Sequence, residues 1–488
     1  MRARGMARTL GYLLAIFSAT FILPLLVGFR YGEAPGRLLY TFGVPLTLTA
    51  SSGIVLMLIG GKEEDLRDRD AFLSVSLAYL LISLFGCLPY MLSGALPDFL
   101  DAFFESTSGF TTTGSSVIPN LEDFTAIPHS IILWRSETAL IGGMGIILLS
   151  MVVLSRVVGG STQLFKAEAS VHATIRMRPT IRQIAVTLWA IYIGFILLET
   201  VLLSAAGMDL FDAVCHSFTT LSTCGYSSKN VGPAYWDTNP WIGTILTIFM
   251  LLGGMSFTLH YDWITGKLRK VRENTELKAY LGLFVFSSAL IFCVLYWNGT
   301  YSTMTEAASH SIFNTASIMT TTGYASSDFA MWPSAPQLLL LFLMIIGGMS
   351  GSTAGGIKAI RFIVLVKMVR REIRKVIHPR AIMPITLGGR PITEDVQRNV
   401  MTYFFIYIMV FCGAALVLTI VGMTISEGLA SSAQALGGVG PALGRYGPMS
   451  NFSGLHWVGK AMLCFNMWLG RLEIYPALLL LSPSAYKR

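Results

Sequence analysis

Thr112-Thr113-Gly114-Ser115 recurs as Thr223-Cys224-Gly225-Tyr226, as Thr321-Thr322-Gly323-Tyr324 and, without its hydroxyls, as Gly438-Val439-Gly440-Pro441. The central glycines lie 111, 98 and 117 residues apart. Thirteen residues before Gly114, Gly225 and Gly440 stand Asp101, Asp212 and Glu427, and in the third copy His310. Each stretch between is long enough only for a short helix. Downstream, Gly142-Gly143-Met144-Gly145, Gly253-Gly254-Met255-Ser256 and Gly347-Gly348-Met349-Ser350 recur, their last residues 31, 31 and 27 positions after the turn glycine. An offset of 31 from Gly440 falls on Arg471. Each unit reads as outer helix, short re-entrant helix, glycine turn and inner helix.

The rest of the composition says where such units sit. Of 488 residues 53% are hydrophobic and 13% charged, with mean hydropathy +0.63; soluble domains carry about 25% charged residues. The runs 13–27, 133–153, 186–203, 281–296, 338–346 and 403–421 are nearly free of charge, and a spanning helix needs roughly 20 such residues. Basic residues concentrate at the start, in 62–69, 156–182, 267–278 and 358–398, and at the tail, which together hold 28 of the 35 Lys and Arg. That is the positive-inside asymmetry, so these segments and the N-terminus are placed in the cytoplasm. Charge split among inter-helix loops argues against nucleic-acid binding. The basic, then apolar, start lacks a small-x-small cleavage site and is expected to remain as the first helix.

The predicted fold is an all-α integral membrane protein with four helix–pore loop–helix repeats around a central pore, preceded by two transmembrane helices near 9–28 and 38–60. The expected parts are residues 1–68, then repeats over 69–182, 183–276, 277–394 and 395–488. Ten spanning helices and four half-helices result.

Non-helical backbone survives inside a bilayer only where protein buries it or it lines a cavity. The four turns must therefore face one axis. Glycine admits the positive φ that points successive carbonyls one way, and rings of carbonyls can replace the water around an ion, as in potassium-channel filters. The predicted filter comprises Thr112, Thr113, Gly114, Thr223, Cys224, Gly225, Thr321, Thr322, Gly323, Gly438, Val439 and Gly440. The hydroxyls of Thr111, Thr112, Thr219 and Thr320 either add ligands or brace the turns. Each short helix aims its negative C-terminal end at the axis, favouring a cation. Asp101, Asp212 and Glu427 would sit at the opposite ends, as caps or as attractors of cations. The outer segments hold 11 acids against 5 bases, an acidic vestibule.

Below the turns the units differ. Arg471 takes the position of Gly145, Ser256 and Ser350. A charge at membrane depth faces a cavity or a partner; Glu473 is the partner nearest in sequence, and the alternative is that Arg471 projects beneath the filter and obstructs cations. The run Gly347-Gly348-Met349-Ser350-Gly351-Ser352-Thr353-Ala354-Gly355-Gly356 is too rich in small residues for a stable helix. It reads as close helix packing or as a break forming a gating loop, the reading adopted here. Nothing in the pattern accounts for Glu137.

Six cysteines without C-x-x-C spacing indicate neither a zinc site nor a disulfide framework. Seven scattered histidines without a paired-carboxylate or H-E-x-x-H motif argue against a membrane-embedded enzyme. His216 and His310 read as packing or hydrogen-bonding residues of the short helices.

These residues resemble the TrkH/TrkG and KtrB family of prokaryotic potassium transporters, closer to the TrkH branch, over essentially the whole chain. Trp134-Arg135-Ser136 leading to Gly142-Gly143-Met144-Gly145, Gly351 through Lys358, His378-Pro379-Arg380-Ala381 and Leu469 through Tyr475 carry the likeness with the four turns. The resemblance implies potassium (K+) as the transported ion with no organic cofactor on this chain, a homodimer in the bacterial inner membrane, and a cytosolic TrkA-like nucleotide-binding subunit docked on the basic loops, above all 358–398. It implies gating by the third-repeat loop and Arg471. A glycine at Gly114, where serine favours sodium in related transporters, implies potassium. The competing reading is a sodium-conducting carrier or a symporter coupling potassium to sodium or protons.

Overall fold

The computed structural model describes residues 3–61, 68–152, 181–381, 383–388 and 390–481. Most of the expected cytoplasmic stretches 62–69 and 156–182, and the tail with Lys487 and Arg488, lie outside them. Among the described residues the chain is mostly helical; the one strand pairing joins Thr386–Leu387 antiparallel to Arg390–Pro391.

Six helices are long and apolar enough to cross a membrane among the described residues: Ala3–Arg30, Pro35–Gly60, Asp70–Leu92, Ala185–Ala205, Thr275–Trp297 and Glu394–Ile420. The first two form the N-terminal pair, and the other four are the outer helices of successive repeats. Each outer helix is followed by a short helix, Phe99–Phe110, Leu210–Leu221, Met304–Met319 and Ile425–Gly437.

The inner helices depart from the expected ten continuous spans. His129–Val152 is unbroken, at 24 residues. The second consists of Pro240–Gly253 and Phe257–Ile264, bent by 102°. The third stops at Ile346 and resumes at Ala359. The fourth runs Trp457–Arg471 and resumes at Tyr475. The second and third breaks fall in the predicted glycine clusters. The fourth turns at Glu473 (φ 56°) and Ile474 (φ 63°), a conformation strained for a β-branched residue and costing about 1–3 kcal/mol.

The N-terminal pair is locked to the first repeat through Trp134. Its buried ring stacks on Phe21 at 4.7 Å, meets Phe110 edge-on at 6.2 Å, and donates its indole N–H to the Gly86 carbonyl at 3.1 Å. In lipid such interdigitation, rather than water exclusion, holds helices together.

Candidate functional site

The four short helices each begin at a capped N-terminus. Asp98 accepts from the amides of Leu100 and Asp101, Asp209 from Phe211, Thr303 from Glu306, and Thr424 from Glu427 in a reciprocal capping box. The caps of the first two repeats are therefore Asp98 and Asp209, one turn earlier than Asp101 and Asp212. Those two acids make ion pairs instead: Asp101 with Lys460, and Asp212 with Lys229 at 3.0 Å. Glu427 both caps and pairs, 2.9 Å from Arg445. The acids proposed to draw in cations are thus each neutralised by a base.

At their other ends the helices run into the four turns, which share one backbone conformation. Thr112, Thr223, Thr321 and Gly438 have φ of 52°, 54°, 59° and 70°, and two residues later Gly114, Gly225, Gly323 and Gly440 have 83°, 77°, 81° and 102°. The turns also touch in cyclic order. A methyl placed on Gly114 would stand 1.8 Å from the Cys224 carbonyl oxygen, on Gly225 1.8 Å from that of Thr322, on Gly323 1.7 Å from that of Val439, and on Gly440 2.8 Å from that of Thr113. First meets second, second third, third fourth, and fourth first: the four turns close a ring. All twelve predicted turn residues are in it.

Side chains brace the ring from behind. Thr111 donates to the Thr107 carbonyl at 2.7 Å and accepts from the Thr113 hydroxyl, 2.9 Å away; Thr320 and Thr322 are hydrogen-bonded in the same way at 2.8 Å. Thr219 lies 2.7 Å from the Tyr226 carbonyl and 2.6 Å from the Tyr324 hydroxyl. The two tyrosines, which no sequence pattern singled out, each reach back one repeat. Tyr226 donates to the carbonyls of Glu105 and Ser115, and Tyr324 meets Thr219. Ser115 closes the circle on Gln434 and the Gly440 carbonyl, both at 2.9 Å. Arg135 sits behind the first two turns, buried, 2.6 Å from Glu105 and 2.8 Å from the Ser227 carbonyl, with its guanidinium 3.5 Å over the Tyr226 ring. His216 binds the Asp212 carbonyl and Ser227, and His310 binds Ser326, as structural residues. Glu137 is buried, and its Oε2 meets no partner among the described residues. On the side where the chain leaves the turns, a cavity of about 150 Å³ opens, lined by Gly114, Gly225, Gly323 and Gly440 and walled by Lys229 and Asn230.

On the opposite side, residues 347–358 cross beneath the ring. Thr353 donates to the carbonyls of Leu221 at 3.0 Å and Gly253 at 3.1 Å, and the Gly355 amide donates to the Thr321 hydroxyl at 2.9 Å. A methyl on Gly355 would stand 2.0 Å from the Gly437 carbonyl. Gly347, Gly351 and Gly356 have positive φ. Ser352 donates within the loop to Met349, and the Gly348 carbonyl accepts from Ala359.

Arg471 is buried, 5% exposed, and donates to the Thr353 carbonyl at 2.8 Å and the Gly142 carbonyl at 2.7 Å. It ties the loop to the first inner helix. Glu473 is not its partner: that carboxylate lies 2.5 Å from Arg361, whose guanidinium also covers the Tyr403 ring. The alignment of Arg471 also moves. Methyls on Gly142, Gly253 and Gly470 would each approach the C-terminal carbonyl of their own short helix, at Phe110, Leu221 and Leu436. Gly470 therefore matches Gly142 and Gly253, and Arg471 matches Gly143 and Gly254, two places from the position that counting gave. The segment between turn and inner helix is two residues longer in the fourth repeat.

A family model described as TrkH, cation transport protein, matches residues 56–487. The Trk system potassium uptake protein TrkH of Escherichia coli strain K12 is 35% identical over 493 residues, covering all of both chains. TrkG of the same strain is 31% identical, covering 97% of this chain and 96% of that one. The crystal structure of the potassium transporter TrkH from Vibrio parahaemolyticus superposes with a TM-score of 0.90 at 32% identity, covering 100% of both chains.

Proposed function

The chain belongs to the TrkH family of cation transport proteins, which are transporters and not enzymes, and we propose that it takes up potassium through the ring of four glycine turns. The closed ring, with one backbone twist repeated four times, carries this reading. The carbonyls of residues 112–114, 223–225, 321–323 and 438–440 line the path and replace the ion's water. Carbonyls suffice as ligands, so the missing hydroxyls at Gly438 and Val439 and the thiol at Cys224 do not interrupt them. The C-terminal ends of the short helices add negative potential at the axis.

The loop 347–358 and Arg471 form the gate. Both lie across the inner exit, joined to each other through the Thr353 carbonyl. The protein spans the bacterial inner membrane many times with its N-terminus in the cytoplasm. It works as a homodimer, and a TrkA-like nucleotide-binding subunit docks on the basic inner face, chiefly 358–398. The chain divides after residues 68, 182, 276 and 394.

Purified protein in vesicles tests the function directly: potassium flux should exceed sodium flux in ion competition, and sodium flux equal to potassium flux refutes the assignment. Arg471→Ala should raise potassium flux at least tenfold, because removing a full charge beside the path lowers a barrier by at least the ~1.4 kcal/mol that a tenfold change requires. Unchanged flux in Arg471→Ala removes the arginine from the gate.

A further inference from the structure

Between the second and third repeats the chain runs along the inner face as the basic helix Leu268–Glu273 and then turns into the membrane. Asn274 caps the third outer helix by accepting from the Leu277 amide at 2.7 Å. Two residues later comes Glu276, wholly buried. A carboxylate at such a depth requires partners. Its Oε1 accepts from the amide of Ser350 at 2.7 Å and from that of Ile360 at 3.2 Å.

These two amides belong to the two limbs of the loop. Ser350 lies on the limb that enters beneath the ring, and Ile360 lies in the first turn of Ala359–Ile377, the helix by which the chain leaves. Amides of a first helical turn have no intrahelical acceptor and carry partial positive charge, so a carboxylate is the acceptor that suits them. Elsewhere the loop is held by neutral backbone bonds: Met349 donates to the Gly254 carbonyl at 2.9 Å and Phe257 to the Gly351 carbonyl at 3.1 Å. Across the two limbs Ile357 donates to the Ile345 carbonyl at 3.0 Å, Lys358 to that of Ile346 at 2.9 Å and Ala359 to that of Gly348 at 2.9 Å. Bonds to an ionised acceptor are roughly twice as strong. Lys358, between the limbs, is buried with φ 77°, a conformation that persists only when its surroundings impose it.

We propose that Glu276 is the latch of the intramembrane loop: a positioning residue whose single carboxylate oxygen clips both limbs together in the shut state. Because it sits two residues from the cap of its helix, the latch moves with the basic connector 267–275. A partner that binds this connector and shifts the start of the helix by about the length that breaks a hydrogen bond, on the order of 1 Å, unclips the loop. The inference rests on the gating role given to the loop above.

The test uses full-length protein in vesicles without a regulator, measuring potassium flux together with hydrogen exchange of residues 347–360. Glu276→Ala should raise flux roughly tenfold, the size of change that one lost charge-assisted bond supports, and should speed exchange at 347–360 while leaving the four turns protected. Glu276→Gln, which keeps an acceptor oxygen, should restore most of the closure. Deleting residues 351–354 serves as the reference. If the deletion raises flux but Glu276→Ala leaves flux and exchange unchanged, or lowers flux, the latch is overturned and the gate stands. If the deletion leaves flux unchanged, the gating role fails and the latch with it. Should Glu276→Ala not insert, Glu276→Gln decides: exchange at 347–360 somewhat faster than in the parent, as a neutral acceptor in place of a charged one requires, supports the latch, and exchange equal to the parent overturns it.

Discussion

Bacteria that depend on this protein for potassium are expected to stop growing at low potassium when Gly114 is changed to alanine, with uptake falling by roughly a hundredfold or more, a barrier change of about 2.7 kcal/mol. Two costs add. The new methyl would stand 1.8 Å from the Cys224 carbonyl oxygen, and φ at Gly114 is 83°. An L-residue held left-handed costs about 1–2 kcal/mol by itself. The clash can be relieved only by moving a carbonyl of the neighbouring turn, one of those proposed to ligate the ion. Gly225→Ala and Gly323→Ala meet the Thr322 and Val439 carbonyls at 1.8 and 1.7 Å and should behave alike. Gly440→Ala, at 2.8 Å, should retain more uptake than the other three.

The fourth turn supplies the opposite case. Gly438 has φ 70°, but a methyl there finds nothing nearer than 4.0 Å, and the matching residues are threonines already in that conformation. Gly438→Thr should therefore keep uptake within about threefold of the parent, the scale of a change near 0.6 kcal/mol. Rubidium or potassium uptake, normalised to protein in the membrane, checks both. Normal uptake in Gly114→Ala would defeat the carbonyl-ring account; loss of uptake in Gly438→Thr would defeat the steric argument behind it.

The same contrast explains what the sequence could disclose. The turns were readable because their chemistry is local: positive φ selects glycine wherever space is also short, and the short helix before each turn is set by a fixed count of residues. The caps were misplaced by one turn because Asp98 and Asp101, like Asp209 and Asp212, stand three residues apart, and only geometry decides which carboxylate reaches the free amides. The inner acids of these pairs went instead to Lys460 and Lys229. Proximity in sequence misled again at Glu473, which pairs with Arg361 across 112 residues rather than with Arg471. Counting placed Arg471 two positions off because outer loops tolerate insertions at little cost, so a spacing fixed in two repeats does not bind the fourth. Tyr226 and Tyr324 were visible after their glycines, yet their partners lie about 100 residues away, where no local pattern points.

Arg135→Ala is the substitution expected to cost most in stability. Arg135 and Glu105 are 4% and 0% exposed, so removing one leaves the other charge buried. Breaking such a pair costs about 3–5 kcal/mol, whereas replacing both members with apolar side chains of similar size is often nearly neutral. The thermal midpoint in detergent should therefore fall sharply in Arg135→Ala and in Glu105→Ala, and by less in the double variant Arg135→Met with Glu105→Leu. Selectivity should separate the double variant from the parent even where stability recovers. The guanidinium holds the Ser227 carbonyl and covers Tyr226, while Glu105 accepts from the Val117 amide at 2.9 Å, so the pair fixes the first turn against the second. Without it the ring keeps its fold but loses the fixed spacing of its carbonyls, and the potassium-to-sodium flux ratio should drop. A midpoint and flux ratio unchanged in Arg135→Ala would mean that backbone contacts alone set the ring.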